Sequence, residues 1–285
     1  MLPTFSIKHH KAGKQQIDLA FADEGKGKKT LLFIHGLGHS HSAWIYNILT
    51  LSEQFRCIAV DLPGNGSAAA ADYPYSLQFF ADCIHDFIVE KQLKQVYLVG
   101  HSMGGQIAMT LALKYPEVLS GLILCAPAGF EQFNDWEKNL YRSTMYFVDM
   151  VSNEENSLRK AVQNSFYLLP DNVQPFIQQL ISNMHTQDRK LYRRMTEACI
   201  SGMLDEPVYY RIPDIKHPVL VIFGEKDTMI PNRFIHPCST RQLAEAATRR
   251  FPNAQLEMIP LCGHFVQWEK ASRVNNIIRH FVQNH

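Results

Sequence analysis

Apolar positions along the chain switch repeatedly between strict alternation, continuous runs and helical spacing. Phe5–His9 and Gln16–Ala22 alternate and flank Lys11–Lys14 around Gly13, which predicts an opening antiparallel hairpin. Continuous apolar runs follow at Thr30–Ile34, Cys57–Val60, Gln95–Val99, Leu119–Cys125, Val219–Phe223 and Gln255–Ile259, each the length of a strand buried on both faces. Helical spacing falls between them, over Ala43–Ser52 and from an N-cap at Ser76 to about Leu93, with Phe79, Phe80, Cys83, Ile84 and Phe87 on one face. It recurs from Gly104 through Ile107, Leu111 and Tyr115, over Ser239–Arg250 and over Val266–Val282. The alanine run Ala68–Asp72 reads as a surface loop. Strands alternating with helices imply a mostly parallel sheet covered on both faces.

Between Phe130 and Tyr210 the pattern changes. No strand is legible there, and amphipathic helices are expected over Asp135–Val151, Glu154–Tyr167, Asp171–Met184 and Asp188–Leu204. Pro170 and Pro175 mark breaks, with Asn153 and Thr186 as caps. Residues 1–129 and 211–285 are therefore expected to form an α/β core, and 130–210 an all-helical cap. Inserted after a strand, such a block belongs over the C-terminal edge of the sheet, where open α/β sheets bind ligands.

Composition narrows the class. The 285 residues are 46% hydrophobic, enough for a sizeable core, and Lys+Arg 28 against Asp+Glu 27 leaves a net charge of +1. That balance gives no general attraction to nucleic acid or an anionic membrane. No stretch approaches the roughly 20 apolar residues of a membrane span, and the first residues lack the apolar core of a secretory signal. Cys57, Cys83, Cys125, Cys199, Cys238 and Cys262 are scattered without metal-like spacing, as reduced thiols of a cytoplasmic protein would be. His39 and His41 form an H-x-H pair with no evident third ligand, so no metal and no cofactor is expected. Oligomeric state is left open.

The candidate chemistry centres on Gly100-His101-Ser102-Met103-Gly104, lying between a predicted strand and a predicted helix. A G-x-S-x-G turn in that context holds a serine hydroxyl above the C-terminal end of the strand. Ser102 could instead be a plain helix N-cap, but a cap does not require glycines at 100, 104 and 105. A serine needs a base, and the base a carboxylate that orients it. Asp227 follows the strand at Val219–Phe223 and His264 follows the strand at Gln255–Ile259. Asp227 could also serve only its turn, and Glu225 is the rival carboxylate. The order Ser102, Asp227, His264 is the nucleophile–acid–base order of α/β-hydrolases.

These motifs resemble the α/β-hydrolase superfamily, in its esterase- and lipase-like group with a helical cap. The resemblance runs through HGLG at His35–Gly38, DLPGNG at Asp61–Gly66, GHSMGG at Gly100–Gly105, GEKD at Gly224–Asp227 and GH at Gly263–His264. It implies a mostly parallel eight-stranded sheet and cleavage of a carboxylic ester or related small-molecule acyl substrate. It also implies an oxyanion hole from the N–H groups of Leu37 and Met103. Ser102 argues against the dehalogenases and epoxide hydrolases, which carry an aspartate nucleophile. Carbon–carbon bond hydrolases share the S-M-G-G run but usually have asparagine and tryptophan where this chain has His101 and Phe265. Cofactor-free haloperoxidases and triad-bearing small-molecule receptors are the other readings.

Phe130, at the start of the cap, and Phe265, beside the base, are placed to touch substrate. Tyr141, Met145, Tyr146, Phe147, Phe166 and Tyr167 could line a pocket, though aromatic residues at helical spacing are more often packing. Arg189, Lys190, Arg193 and Arg194 read as a solvated face. His35, His101 and Asp61 read as scaffolding.

Overall fold

Strand β3 (Thr30–Ile34) shows how the layers arise. Its side chains alternate, so Leu32 and Ile34 enter one buried cluster while Leu31 and Phe33 enter a second on the opposite face. The other strands are β1 (Lys8–Ala12), β2 (Ile17–Glu24), β4 (Arg56–Asp61), β5 (Val96–His101), β6 (Gly121–Cys125), β7 (Val219–Gly224) and β8 (Ala254–Ile259). Together the eight strands form one sheet in the spatial order β1-β2-β4-β3-β5-β6-β7-β8. Pairs β1–β2 and β2–β4 are antiparallel, and every later pair is parallel. The structure is a computed structural model that describes residues 4–151, 154–171, 173–186 and 188–285.

The helices are α1 (Ile45–Leu51), α2 (Leu77–Glu90), α3 (Met103–Lys114), α4 (Asp135–Val151), α5 (Glu154–Asn164), α6 (Val173–Thr186), α7 (Arg189–Asp205), α8 (Thr240–Thr248), α9 (Val266–Glu269) and α10 (Ala271–Asn284). Helices α2, α3 and α8 cover one face of the sheet; α1, α9 and α10 cover the other. Ser76 caps α2 by accepting from Phe79 N–H at 3.0 Å. Helices α4–α7 are inserted between β6 and β7, and α5 and α6 join the cluster of Phe265 and Trp268 while Met195 of α7 joins the other. The insertion thus bridges both cores. No helix among the described residues is long and apolar enough to cross a membrane.

Several boundaries differ from the sequence reading. The hairpin strands start later, at Lys8 and Ile17, because β1 is an exposed edge strand whose extent is set by pairing rather than by burial. Its turn is closed by Gly13 and Gln16 in left-handed conformations. Pro175 does not break a helix but sits in the first turn of α6, where its missing N–H has no intrahelical partner to lose. The expected helix over Val266–Val282 is two helices, parted where Lys270 leaves helical geometry at φ −130°, ψ 42°. Helix α5 ends at Asn164, three residues early, because the amides of Tyr167 and Leu168 are drawn to Glu269. Asn153 and the side chains of Met145, Tyr146, Phe147, Thr186 and Arg189 lie outside the described set.

Candidate active site

Ser102 stands at the junction of β5 and α3 with φ 53° and ψ −119°, a conformation that strains any residue with a Cβ. Its N–H donates to Cys125 O of β6 at 3.0 Å, and its carbonyl accepts from Ala128 N–H at 2.9 Å. Although Ser102 precedes α3, its side chain makes no capping hydrogen bond. Strain without capping is hard to explain as local helix chemistry. Two glycines make the turn sterically feasible. A Cβ on Gly100 would lie 2.3 Å from Gly104 O, and one on Gly104 would lie 2.5 Å from Ile34 O.

Asp227 and His264 sit in loops beyond neighbouring strands, where the Val219↔Ala254 to Gly224↔Ile259 register of β7 and β8 ends. His264 Nδ1 lies 2.8 Å from Asp227 Oδ2, and both side chains are buried. The other carboxylate oxygen, Oδ1, accepts from the N–H groups of Met229 at 2.8 Å and Ile230 at 3.0 Å. One oxygen therefore shapes the turn while the other meets the imidazole. Glu225 is engaged elsewhere, paired with Arg241 on the surface. The His264 main chain is fixed on both sides: its N–H donates to Ser165 O at 2.7 Å, and its carbonyl lies 3.2 Å from His101 Nε2. No hydrogen bond joins Ser102 Oγ to His264 among the described residues.

The loop after β3 borders the elbow. A Cβ on Gly36, the residue before Leu37, would come within 3.2 Å of Ser102 Cβ. Met103 N–H opens α3, where the first amides have no intrahelical acceptor. His35 holds this loop. It is fully buried, its Nε2 accepts from Leu62 N–H at 3.1 Å, and its Nδ1 lies 2.7 Å from Gly36 O.

The alpha/beta hydrolase fold family matches residues 29–271 of the sequence. The chain belongs to that family. Over 274 residues it is 30% identical to the dihydrolipoyllysine-residue acetyltransferase component of the acetoin cleaving system of Cupriavidus necator, covering 92% of this chain and 66% of that protein. The chain thus spans just under two thirds of that relative's length. It is 26% identical over 285 residues to a 2-hydroxy-6-oxononadienedioate/2-hydroxy-6-oxononatrienedioate hydrolase of Paraburkholderia phymatum, covering 95% of this chain and 92% of that one. Among solved structures, a probable hydrolytic enzyme from Pseudomonas aeruginosa PAO1 superposes with a TM-score of 0.83 at 25% identity, covering 98% and 94% of the two chains.

Within this alpha/beta hydrolase, the two phenylalanines singled out from sequence have different surroundings. Phe130 is 1% exposed and packs on Phe223 and Phe251, inside the core rather than at a cleft. Phe265 is also buried, stacked on Phe166 with ring centres 4.9 Å apart and in edge contact with His39. The H-x-H pair is divided. His39 stacks on Phe176 at 5.2 Å, while His41 Nδ1 meets Asp61 Oδ1 at 2.9 Å. Burial pushes the His39 imidazole down to about 3, and burial likewise lowers His35 and His101. All three rings are buried beside the elbow or its flanking loop. Nothing in the spacing of the sequence distinguished His39 from an exposed loop histidine, because its partners Phe176 and Phe265 lie far along the chain.

Proposed function

We propose that this alpha/beta hydrolase is a serine hydrolase that cleaves a carboxylic ester or related acyl substrate. One observation carries the reading: a buried His264–Asp227 hydrogen bond of 2.8 Å, formed from loops beyond two adjacent strands. Further support comes from Ser102, whose φ of 53° at the end of β5 is a strained conformation with no side-chain capping bond to account for it.

In the proposed reaction Ser102 Oγ attacks the carbonyl carbon while His264 Nε2 takes its proton. Asp227 Oδ2 keeps the Nδ1–H tautomer and offsets the charge of the imidazolium that forms. The N–H groups of Leu37 and Met103 receive the developing oxyanion, a contribution of roughly 3–4 kcal/mol per donor in measured cases. His264 then passes the proton to the leaving alcohol. Water, deprotonated by the same nitrogen, releases the acid and restores Ser102. The helices of 130–210 act as the cap, and their bridging of both buried clusters supports that role. Six free cysteines, all buried or partly so, are in keeping with a reducing cytoplasm.

Hydrolysis of a carbon–carbon bond in a vinylogous diketo acid is the second reading. It is favoured by the similarity to the Paraburkholderia phymatum hydrolase and weakened by His101 and Phe265. Turnover of a p-nitrophenyl ester series of increasing chain length, run beside a vinylogous diketo acid, separates the two. The ester reading expects the higher kcat/KM on an ester; fast diketo acid cleavage with poor ester turnover would replace it.

A further inference from the structure

Glu269 lies five residues beyond His264, at the end of α9, and its carboxylate serves main-chain groups on either side of the base. Oε2 accepts from Gly263 N–H at 3.0 Å and from Tyr167 N–H at 3.0 Å, while Oε1 accepts from Leu168 N–H at 3.1 Å. Gly263 belongs to the loop of His264; Tyr167 and Leu168 belong to the chain leaving α5 in the inserted helices. Hydrogen bonds to a charged acceptor are the stronger kind, and here one carboxylate holds three.

The two segments are in backbone contact. His264 N–H donates to Ser165 O at 2.7 Å, and a Cβ on Gly263 would lie 2.4 Å from Ser165 O and 2.7 Å from Tyr167 N. The acid's loop is fastened to the same place, since Thr228 Oγ1 donates to Asn164 O at 2.8 Å. The end of α5 therefore touches the loops of both Asp227 and His264, and Glu269 is the side chain that closes the junction.

We propose that Glu269 is a positioning residue for the base, fastening the His264 loop to the end of α5 so that cap and triad hold one geometry together. The proposal rests on the serine-hydrolase reading for its effect on rate. A carboxylate that only satisfied amides for stability would be expected to affect melting and nothing else. A positioning carboxylate also sets where the imidazole sits between Asp227 and Ser102. Displacements of about 1 Å far from the reacting atoms are known to cost as much as ~10²-fold in rate.

The test compares wild type with Glu269→Gln, Glu269→Ala and Thr228→Val in the full chain. Gln keeps one acceptor oxygen but turns an NH2 group toward an amide, so its effect should be intermediate. The expected result is a fall in kcat of ~10- to 100-fold for Ala, smaller for Gln and for Val, with KM changed far less. The apparent pKa on the acidic limb of kcat/KM, where the free base must lose its proton, should move with it. Hydrogen exchange at Ser165–Leu168 and at Gly263–Phe265 should rise together in Glu269→Ala while β3 stays protected. Melting changes with kcat, pH profile and coupled exchange all unchanged would overturn the proposal. If wild type itself turns over no ester, the chemistry is wrong, and the exchange experiment alone decides the clamp. Coupled exchange in the two segments then supports it, and exchange confined to one of them overturns it. Glu269→Gln, which keeps the side-chain size and one acceptor oxygen, keeps the test valid should Glu269→Ala fail to fold.

Discussion

His264 Nδ1 and Asp227 Oδ2 are 2.8 Å apart in a buried contact between residues 37 positions apart in sequence. Asp227→Asn should keep its turn, because the amide oxygen can still accept from Met229 and Ile230. It would offer the imidazole a donor where an acceptor is needed. Turnover should fall on the order of 10⁴-fold, as loss of this carboxylate does in comparable triads. Glu225→Gln should stay near wild type, since that carboxylate is committed to Arg241. Steady-state kinetics on the best ester checks both, and the reverse pattern would move the acid role to Glu225.

Gly104→Ala adds a Cβ 2.5 Å from Ile34 O and 2.6 Å from His35 O, both backbone atoms that cannot rotate away. The elbow must shift against β3. A cost at the upper end of the ~1–3 kcal/mol typical of overpacking is expected, with loss of activity exceeding that of an equally destabilised surface variant. Chemical denaturation together with kcat/KM measures the two effects.

Stability should fall as pH drops from neutrality. His35, His39 and His101 are buried, which lowers each below the ordinary value of 6.5 and takes His39 to about 3. Between those values the unfolded chain binds protons that the folded one refuses. The contribution is therefore fully present above about pH 6.5 and is lost going down, at up to about 1.4 kcal/mol per pH unit for each ring. Melting followed from pH 7 to pH 5 should show the decline, and His39→Phe should flatten it. An unchanged slope in that variant would contradict the assignment.

Phe130 and Phe265 should respond differently to leucine. Phe130→Leu alters a core contact with Phe223 and Phe251 and should cost roughly 1 kcal/mol of stability with KM unchanged. Phe265→Leu removes the ring stacked on Phe166 next to His264, so kcat should fall as well. Unfolding curves and ester kinetics on both variants check the contrast. A raised KM in Phe130→Leu would return that residue to the substrate site.

Local patterns in the sequence were sufficient for the sheet. The run at Thr30–Ile34 is a strand with those same ends, four apolar residues after Thr30 bounded by Lys29 and His35. The elbow was legible for a related reason, since its glycines are needed within five residues of one another. What stayed hidden depends on distant contacts. Phe130 reads as a cap residue by position, yet its ring is claimed by Phe223 and Phe251. Val266–Val282 has an uninterrupted helical period, but Glu269 is bound to amides about a hundred residues earlier, and the helix breaks just after it. His39 shows nothing of its burial until Phe176 is brought against it.

The central claim is that Ser102 is a nucleophile activated by His264. Labelling with a serine-directed fluorophosphonate, read by intact mass and peptide mapping, tests it most directly. Wild type should take up one label on Ser102, His264→Ala should label far more slowly, and folded Ser102→Ala should take up none. A folded wild-type protein that stays unlabelled, or a Ser102→Ala variant that labels as fast as wild type, would contradict the account.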